Sequence, residues 1–371
     1  MPEPGSATVL IPAHNEAATI QRCIAAVRAG GYPLERIIVV ADACTDDTAE
    51  LARAAGAEVV EVQVADKAEA QNAVLGSITS ELLVGFDGDT FPARDCVKRM
   101  VRRMRRDQLD AVCATVLPVQ PKGFFIRARR YAYALGRRWW RVAQSSVGRV
   151  QVLTGAAYVF RTDAIKRVGG FQTVGISADM DTTWALHAAG YRLAYVGEAV
   201  AYTLDPETFA DYRKQMRRWA AGYFQTMAKH RRQLWHPRAI LVVWTALFDL
   251  LTVPVTYGLV VWWALADPGQ VKWFPAWFLA HLLVTTILVA TVVGWREAVL
   301  GAIPYTLVNF YNKALYLWVL VREWLLGAHY ASWTGRHGRP TKITPADPWR
   351  AAAVTGVTGC LAVALHQLYV L

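Results

Sequence analysis

The chain has 371 residues, enough for one large domain or two, and its content of 54% apolar and 19% charged residues is more apolar than soluble domains usually are. Five scattered cysteines (Cys23, Cys44, Cys96, Cys113 and Cys360), with no C-x-x-C pair, argue against a zinc centre or disulfide framework and suit a reducing compartment. The net charge of +11 calls for an anionic partner, either a nucleic acid or a membrane surface, and its distribution along the chain decides between them.

The N-terminus, "MPEPGSATVLIPAHNE", has no basic segment followed by an apolar core, so neither a signal peptide nor a leading membrane helix is expected and residues 1–230 are assigned to the cytoplasm. "ATVLIPAHNE" reads as a strand ending in polar residues. It is followed by a helix on which Ile20, Cys23, Ile24 and Val27 recur at helical spacing, stopped by a double glycine. "RIIVVADACTDDT", "EVVEVQV" and "ELLVGFDGDT" read as three further strands, separated by helices at "TAELARAAGA" and "AEAQNAVLGSI". This alternation predicts an α/β fold, a mostly parallel Rossmann-like sheet with helices on both faces, in which ligands bind beyond the carboxyl ends of the strands.

The polar residues fall at those ends: His14, Asn15 and Glu16 after the first strand, Asp42 to Asp47 after the second, Asp87 and Asp89 after the fourth. Neither a G-x-G-x-x-G after the first strand nor a G-x-x-x-x-G-K-[ST] is present, which counts against a dinucleotide site or a P-loop. In "FDGDT" two carboxylates flank a glycine; at a strand end both can face a hard cation, although Asp-Gly is also an ordinary turn. In "GISADMDTTWALHAAGYR", Asp179 and Asp181 precede a helix, where the plain account is capping and the chemical one a general base.

"IRARRYAYALGRRWWR" (126–141) and "YRKQMRRW" (212–219) interleave Arg with Trp, Tyr and apolar residues, as interfacial helices do on anionic lipid, whereas "VKRMVRRMRR" (97–106) reads as a solvated helix face. Interfacial helices are therefore expected near 122–143 and 208–230. From residue 239 a membrane region begins, with spans at about 240–266, 273–294 and 351–371, each near the ~20 residues that cross a hydrocarbon core. The short loop "DPGQVK" would lie outside and "WRE" inside. The stretch 298–326, punctuated by Pro304, Asn309, Asn312, Lys313, Arg322 and Glu323, is expected to be interfacial or re-entrant, since a span there would put "GRHGRPTK" outside. Spans in the same chain favour lipid over nucleic acid as the anionic partner.

The ordered set P-x-x-N-E (12–16), "ADACTD" with Asp42 and Asp46, Lys67, D-x-D (Asp87, Asp89), "TGAAYVFR" (154–161), Asp179 and Q-x-x-R-W (Gln215, Arg218, Trp219) resembles the membrane-bound family 2 glycosyltransferases. These include cellulose, chitin, hyaluronan and poly-N-acetylglucosamine synthases. The resemblance covers residue 7 to about 230, and "ASWTGR" (331–336) looks like their W-x-x-R stretch, with "GRPTKIT" after it either a gating segment or a basic linker.

The resemblance implies a GT-A fold, a UDP-sugar donor, Mg2+ or Mn2+ and inverting transfer to a saccharide or lipid-linked acceptor. Pro12, His14, Glu16, Asp42, Lys67, Asp87, Gln215 and Arg218 would bind the nucleotide-sugar. Asp89 and Asp87 would hold the metal, Asp179 would be the base, and Trp219, Gly155 and Ala156 would meet the acceptor. Ala41 stands where the family's first uridine-motif Asp is found and Ala178 where a Glu precedes the base, and the leading membrane helices of many relatives are not seen. Three functions compete: extension of a polysaccharide or oligosaccharide, possibly with export; transfer of one sugar to a polyprenyl-phosphate or other lipid; and a silent transporter or scaffold that binds nucleotide-sugar.

Overall fold

The computed structural model describes residues 6–120, 122–172, 176–244 and 273–326, with isolated positions between 246 and 269. The four strands read from the sequence are β1 (Ala7–Ala13), β2 (Arg36–Asp42), β3 (Glu58–Val62) and β4 (Leu82–Phe86), joined by α1 (Ile20–Ala29), α2 (Thr48–Ala54) and α3 (Lys67–Leu75). Then come β5 (Thr90–Pro92), α4 (Cys96–Arg106), β6 (Ala111–Pro118), α5 (Phe124–Arg138), α6 (Trp140–Ser146), β7 (Ala157–Arg161), α7 (Thr162–Arg167), α8 (Ala178–Ala188), β8 (Leu193–Thr203) and α9 (Phe209–Lys229).

All eight strands form one sheet in the order β3-β2-β1-β4-β7-β6-β8-β5. The first four run parallel. β7 is antiparallel to both β4 and β6, β6 is parallel to β8, and β5 closes the edge antiparallel to β8.

Alternation along each strand supplies both faces of the sheet. Val9 and Ile11 pack with Ile24 of α1 and Met100 of α4 on one side. Leu10 and Leu83 pack with Val74 of α3 and Ile165 of α7 on the other. Gly85 is required on β4 because a Cβ there would sit 1.9 Å from the Tyr158 ring of β7. With both faces filled, β1, β2 and β4 are each followed by polar residues at their carboxyl ends. The basic stretch at 97–106 is α4, whose Val97, Met100, Val101 and Met104 are buried.

Beyond α9 a helical turn at Pro237–Ala239 leads into a π turn, Ile240–Trp244. Then follow α10 (Trp273–Val293), α11 (Trp295–Leu320) and a π turn at Val321–Leu325. Among the described residues α10 is the one helix long and apolar enough to cross a membrane, and its Leu279, Leu283 and Ile287 are exposed. The anticipated span at 240–266 is described only at its start and at isolated positions, and the one at 351–371 lies outside the described residues, as do "ASWTGR" and "GRPTKIT".

Residues 298–326 fall within α11 and the turn after it, and Pro304 sits inside an unbroken helix. Two of the polar residues that punctuate this stretch make contacts with α9. Asn312 accepts a hydrogen bond from Tyr212 at 2.9 Å, and buried Glu323 accepts from Gln225 at 3.2 Å. Glu297, at the head of α11, pairs with Arg130 at 3.2 Å.

Candidate active site

The end of β1 turns through Asn15, which adopts a left-handed φ of 54°. Its side-chain oxygen accepts from the Thr45 amide at 2.7 Å, binding this turn to the one after β2. His14 Nδ1 lies 2.6 Å from the Asp42 carbonyl, and Asp42 itself is buried, its Oδ1 accepting from the Ala65 amide at 2.7 Å. Asp46 accepts from the Ala17 amide at 3.1 Å and from Thr48. Two loop ends separate in sequence thus form one polar rim, with Pro12 on β1 beneath it.

Lys67 opens α3. Asp66, immediately before it, caps the helix by accepting from the amides of Ala68 and Glu69 at 2.9 and 3.0 Å. The cap fixes where the Lys67 side chain starts, and its ammonium pairs with Asp87 Oδ1 at the end of β4 and reaches the Gly155 carbonyl at 3.4 Å. Gly155 and Ala156 precede β7. A Cβ on Gly155 would come within 3.3 Å of Asp179 Cβ, 3.4 Å of Lys67 Nζ and 3.6 Å of Asp179 Oδ2, so the absence of a side chain lets an acid and an ammonium approach the same point.

Asp179 sits in the first turn of α8. Its Oδ1 accepts from the Met180 amide at 2.8 Å and from Ser177 Oγ at 3.2 Å, while Oδ2 is the oxygen toward Gly155. Arg218 of α9 lies close enough to both Asp179 and Asp87 for their charges to act on it. Withdrawal from solvent pushes its pKa down, and the two carboxylates oppose that shift. Lys67, Asp87, Gly155, Asp179 and Arg218 therefore converge from five separate parts of the chain.

Asp89 follows Asp87 by two residues at the same strand end. Its Oδ1 accepts from Thr203 at 3.3 Å and from Thr90 at 3.4 Å. Gly88 between the two aspartates packs on Glu16, whose Cγ would lie 3.0 Å from an added Cβ. Glu16 accepts from Thr19 at 2.8 Å. Burial, reinforced by Asp89, Asp87 and Glu16, pushes the Cys23 thiol up, so it stays neutral and the three acids share one neighbourhood.

Among the described residues no group of three or more His, Cys, Asp or Glu side chains is placed to hold a metal. The carboxylates nonetheless fit a hard cation of the Mg2+ or Mn2+ kind, which takes one or two of them and fills its other positions with phosphate oxygens and water. Asp87 and Asp89 supply that donor chemistry at one strand end.

Gln215 and Trp219 project from α9 toward α5 rather than toward Lys67. Arg129 of α5 donates to Gln215 Oε1 at 2.8 Å and lies 4.9 Å from the Trp219 ring centre. Burial disfavours the Arg129 charge, but Tyr133 and Asp205 outweigh it and hold its pKa above the usual guanidinium value.

Three residues near the site carry no sequence signal that singles them out. Arg129 is one arginine among several in a basic run. Asp205 lies in the loop after β8. Gly222 lies inside a long helix, where a Cβ would fall 2.4 Å from Ser177 Cβ, so α9 crosses the start of α8 in direct contact. Asp181, read beside Asp179 as a cap or a base, pairs at 2.6 Å with both Lys229 and His230.

The sheet order, the loops at its carboxyl end and the acid-lysine-arginine cluster define a glycosyltransferase of GT-A architecture. The family described as "Glycosyltransferase like family 2" matches residues 4–222, and the chain belongs to it. Poly-beta-1,6-N-acetyl-D-glucosamine synthase from Staphylococcus aureus (strain COL) is 28% identical over 238 residues, covering 60% of this chain and 58% of its own. The enzyme of the same name from Staphylococcus epidermidis is 26% identical over 226 residues, 59% of this chain and 55% of its own. The chain thus spans little more than half the length of these relatives. Among solved structures, a mannosyltransferase from Pyrobaculum calidifontis in complex with GDP-Man and Mn2+ has the same fold, with a TM-score of 0.59 and 23% identity over 81% of this chain and 86% of its own.

Proposed function

We propose that the chain is an inverting, metal-dependent glycosyltransferase that moves a sugar from a UDP-sugar to a hydroxyl of a growing saccharide at a membrane face. One observation carries this reading: Asp179 and Lys67 meet at Gly155, Asp87 pairs with Lys67, Arg218 lies within electrostatic reach of both acids, and the next residue, Trp219, presents an aromatic ring that is 37% exposed. The names of the staphylococcal relatives support a polysaccharide product and N-acetylglucosamine as the sugar.

Asp179 is the base. With Oδ1 held by two donors, Oδ2 takes the proton of the acceptor hydroxyl as its oxygen attacks the anomeric carbon from the face opposite the leaving group. The bond from the anomeric carbon to the diphosphate oxygen breaks, its electron pair stays on the diphosphate, and the configuration inverts. Arg218 and Lys67 offset the charge that grows on the diphosphate, more in the transition state than before it. A cation held by Asp87 and Asp89 would neutralise the same diphosphate as a Lewis acid. Asp42, with Oδ1 held by the Ala65 amide, keeps Oδ2 for the N–H of a uracil ring, and Pro12, His14 and Glu16 line that pocket. The Trp219 indole and the Gly155–Ala156 backbone support the acceptor sugar.

α10 would anchor the protein in a bilayer, with the sheet on the cytoplasmic side and α5 and α9 at the lipid interface. Incubation in lipid with a panel of UDP-sugars, plus GDP-Man, and Mn2+ or Mg2+ tests the reading. Long product from a UDP-sugar supports it. A lipid-soluble monosaccharide product would replace it with single transfer to a lipid phosphate. Binding without turnover would leave a silent nucleotide-sugar binder.

A further inference from the structure

We propose that Arg129 is a positioning residue that sets the orientation of Gln215 and Trp219, and so determines how the acceptor is held; the inference rests on the transferase reading above. Arg129 is buried in α5, and both of its Nη atoms are engaged. Nη1 donates to Gln215 Oε1 at 2.8 Å, and Nη2 pairs with Asp205 Oδ1 at 2.9 Å and donates to the Tyr133 hydroxyl. Its Cζ lies 4.9, 5.1 and 5.8 Å from the ring centres of Trp219, Tyr133 and Tyr212.

Arg has donors and no acceptor, so a Gln215 amide facing Arg129 must offer its carbonyl oxygen, which turns the NH2 group away from α5. Gln215 therefore presents donors, and its partner on the substrate is an acceptor oxygen, of a sugar hydroxyl or a phosphate. The indole is fixed in the same way, since a planar cation over one face holds the ring in place and leaves the other face for a sugar.

Stability alone does not account for the arrangement. Arg129 and Asp205 side chains are 5% and 3% exposed, yet Arg129 Nε and Asp205 Oδ2 have no hydrogen-bond partner among the described residues. A buried pair left half satisfied is a poor source of stability compared with apolar packing. What the pair does is join the loop after β8 to the one face of α9 that carries both substrate-facing residues.

The test is Arg129→Lys, which keeps a charge opposite Asp205 and loses the planar fork, in the full-length protein in lipid. With UDP-N-acetylglucosamine as donor and a β-1,6-linked N-acetylglucosamine pentamer as acceptor, the acceptor KM should rise about tenfold, the effect of one charge-assisted hydrogen bond. The Kd for UDP with Mn2+ should stay within about twofold, because the Asp42 rim does not touch α5. Hydroxyl-radical footprinting should show faster oxidation of Trp219, with exposed Trp139 and buried Trp184 as internal references.

An unchanged acceptor KM and an unchanged Trp219 rate, with only a smaller active fraction, would overturn the proposal. So would a UDP Kd that shifts as much as the KM. If the wild type turns over neither probe, the reading of substrate fails instead, and the footprint alone decides the role of Arg129. Gln215→Glu should retain the Trp219 rate and lose transfer, and full activity in that variant would overturn the assigned amide orientation.

Discussion

Asp179 stands at a helix terminus and, in the proposed reaction, is also the group that takes the proton. The Met180 amide and the Ser177 hydroxyl occupy one oxygen, which orients the other toward Gly155. Asp179→Asn keeps the size and the Oδ1 contacts and removes the basicity. It should lower kcat by about 10²–10⁴-fold while leaving the Kd for UDP within about twofold, measured by turnover and by calorimetry.

His187, later on the same helix, lies 2.9 Å through Nε2 from the Val150 carbonyl, and burial, with Arg149 next, pushes its pKa down to about 3. Folded protein therefore binds the proton more weakly than unfolded chain. The stability is complete above pH ~6.5 and is lost as pH falls from there toward 3. Between pH 7 and pH 5 this group alone should cost about 2 kcal/mol, and denaturant midpoints of His187→Gln, which can donate to the same carbonyl without titrating, should show that much less acid dependence.

At the scale of elements, β1 to β4 and the helices between them were legible because each strand is a short apolar run closed by polar residues and each helix repeats its apolar positions every third or fourth residue. Lys67, Asp87, Asp179 and Arg218 were legible as motif positions. Their meeting at Gly155 was not, because no local pattern reports which two loops a glycine lets together. Nor could periodicity show that Asn312 and Glu323 meet α9 and that Glu297 meets α5, since all three look like interruptions until their partners are known.

Gly222 belongs to this class. Gly222→Ala gains about 1 kcal/mol of helix propensity but drives a methyl into Ser177, an overpacking that costs about 1–3 kcal/mol. The melting temperature should fall slightly. kcat should fall by about tenfold or more, since Ser177 is a donor to Asp179 and a tenfold loss needs only about 1.4 kcal/mol. Gly136→Ala, in α5 with nothing within 4 Å of its added methyl, is the control and should raise stability by about 0.5–1 kcal/mol without changing turnover.

For the whole molecule, a sheet filled on both faces leaves its polar groups gathered at the carboxyl edge, and the acids there suit a cation. Treatment with EDTA should abolish transfer, and Mg2+ or Mn2+ should restore it, with Asp89→Asn raising the metal concentration needed for half-maximal activity by about tenfold or more. Recovery of full activity in EDTA would remove the cation from the mechanism. The helices beyond α9 do not hang from the sheet by a tether. α10 and α11 are pinned to α5, where Tyr131 donates to Thr285 at 2.9 Å and stacks on Tyr305 at 4.6 Å.

Arg129, Arg130 and Tyr131 thus leave α5 in succession and reach three sets of partners: the face of α9 with Gln215 and Trp219, the end of β6 together with Glu297 at the head of α11, and Thr285 and Tyr305 farther along α10 and α11. A helix turns by about 100° per residue, so these three attachments are a matter of phase. Substitution in α5 can weaken one attachment at a time, whereas inserting or deleting a single residue ahead of Arg129 would rotate all three out of register together. α5 is consequently a segment whose length is under tighter constraint than its composition.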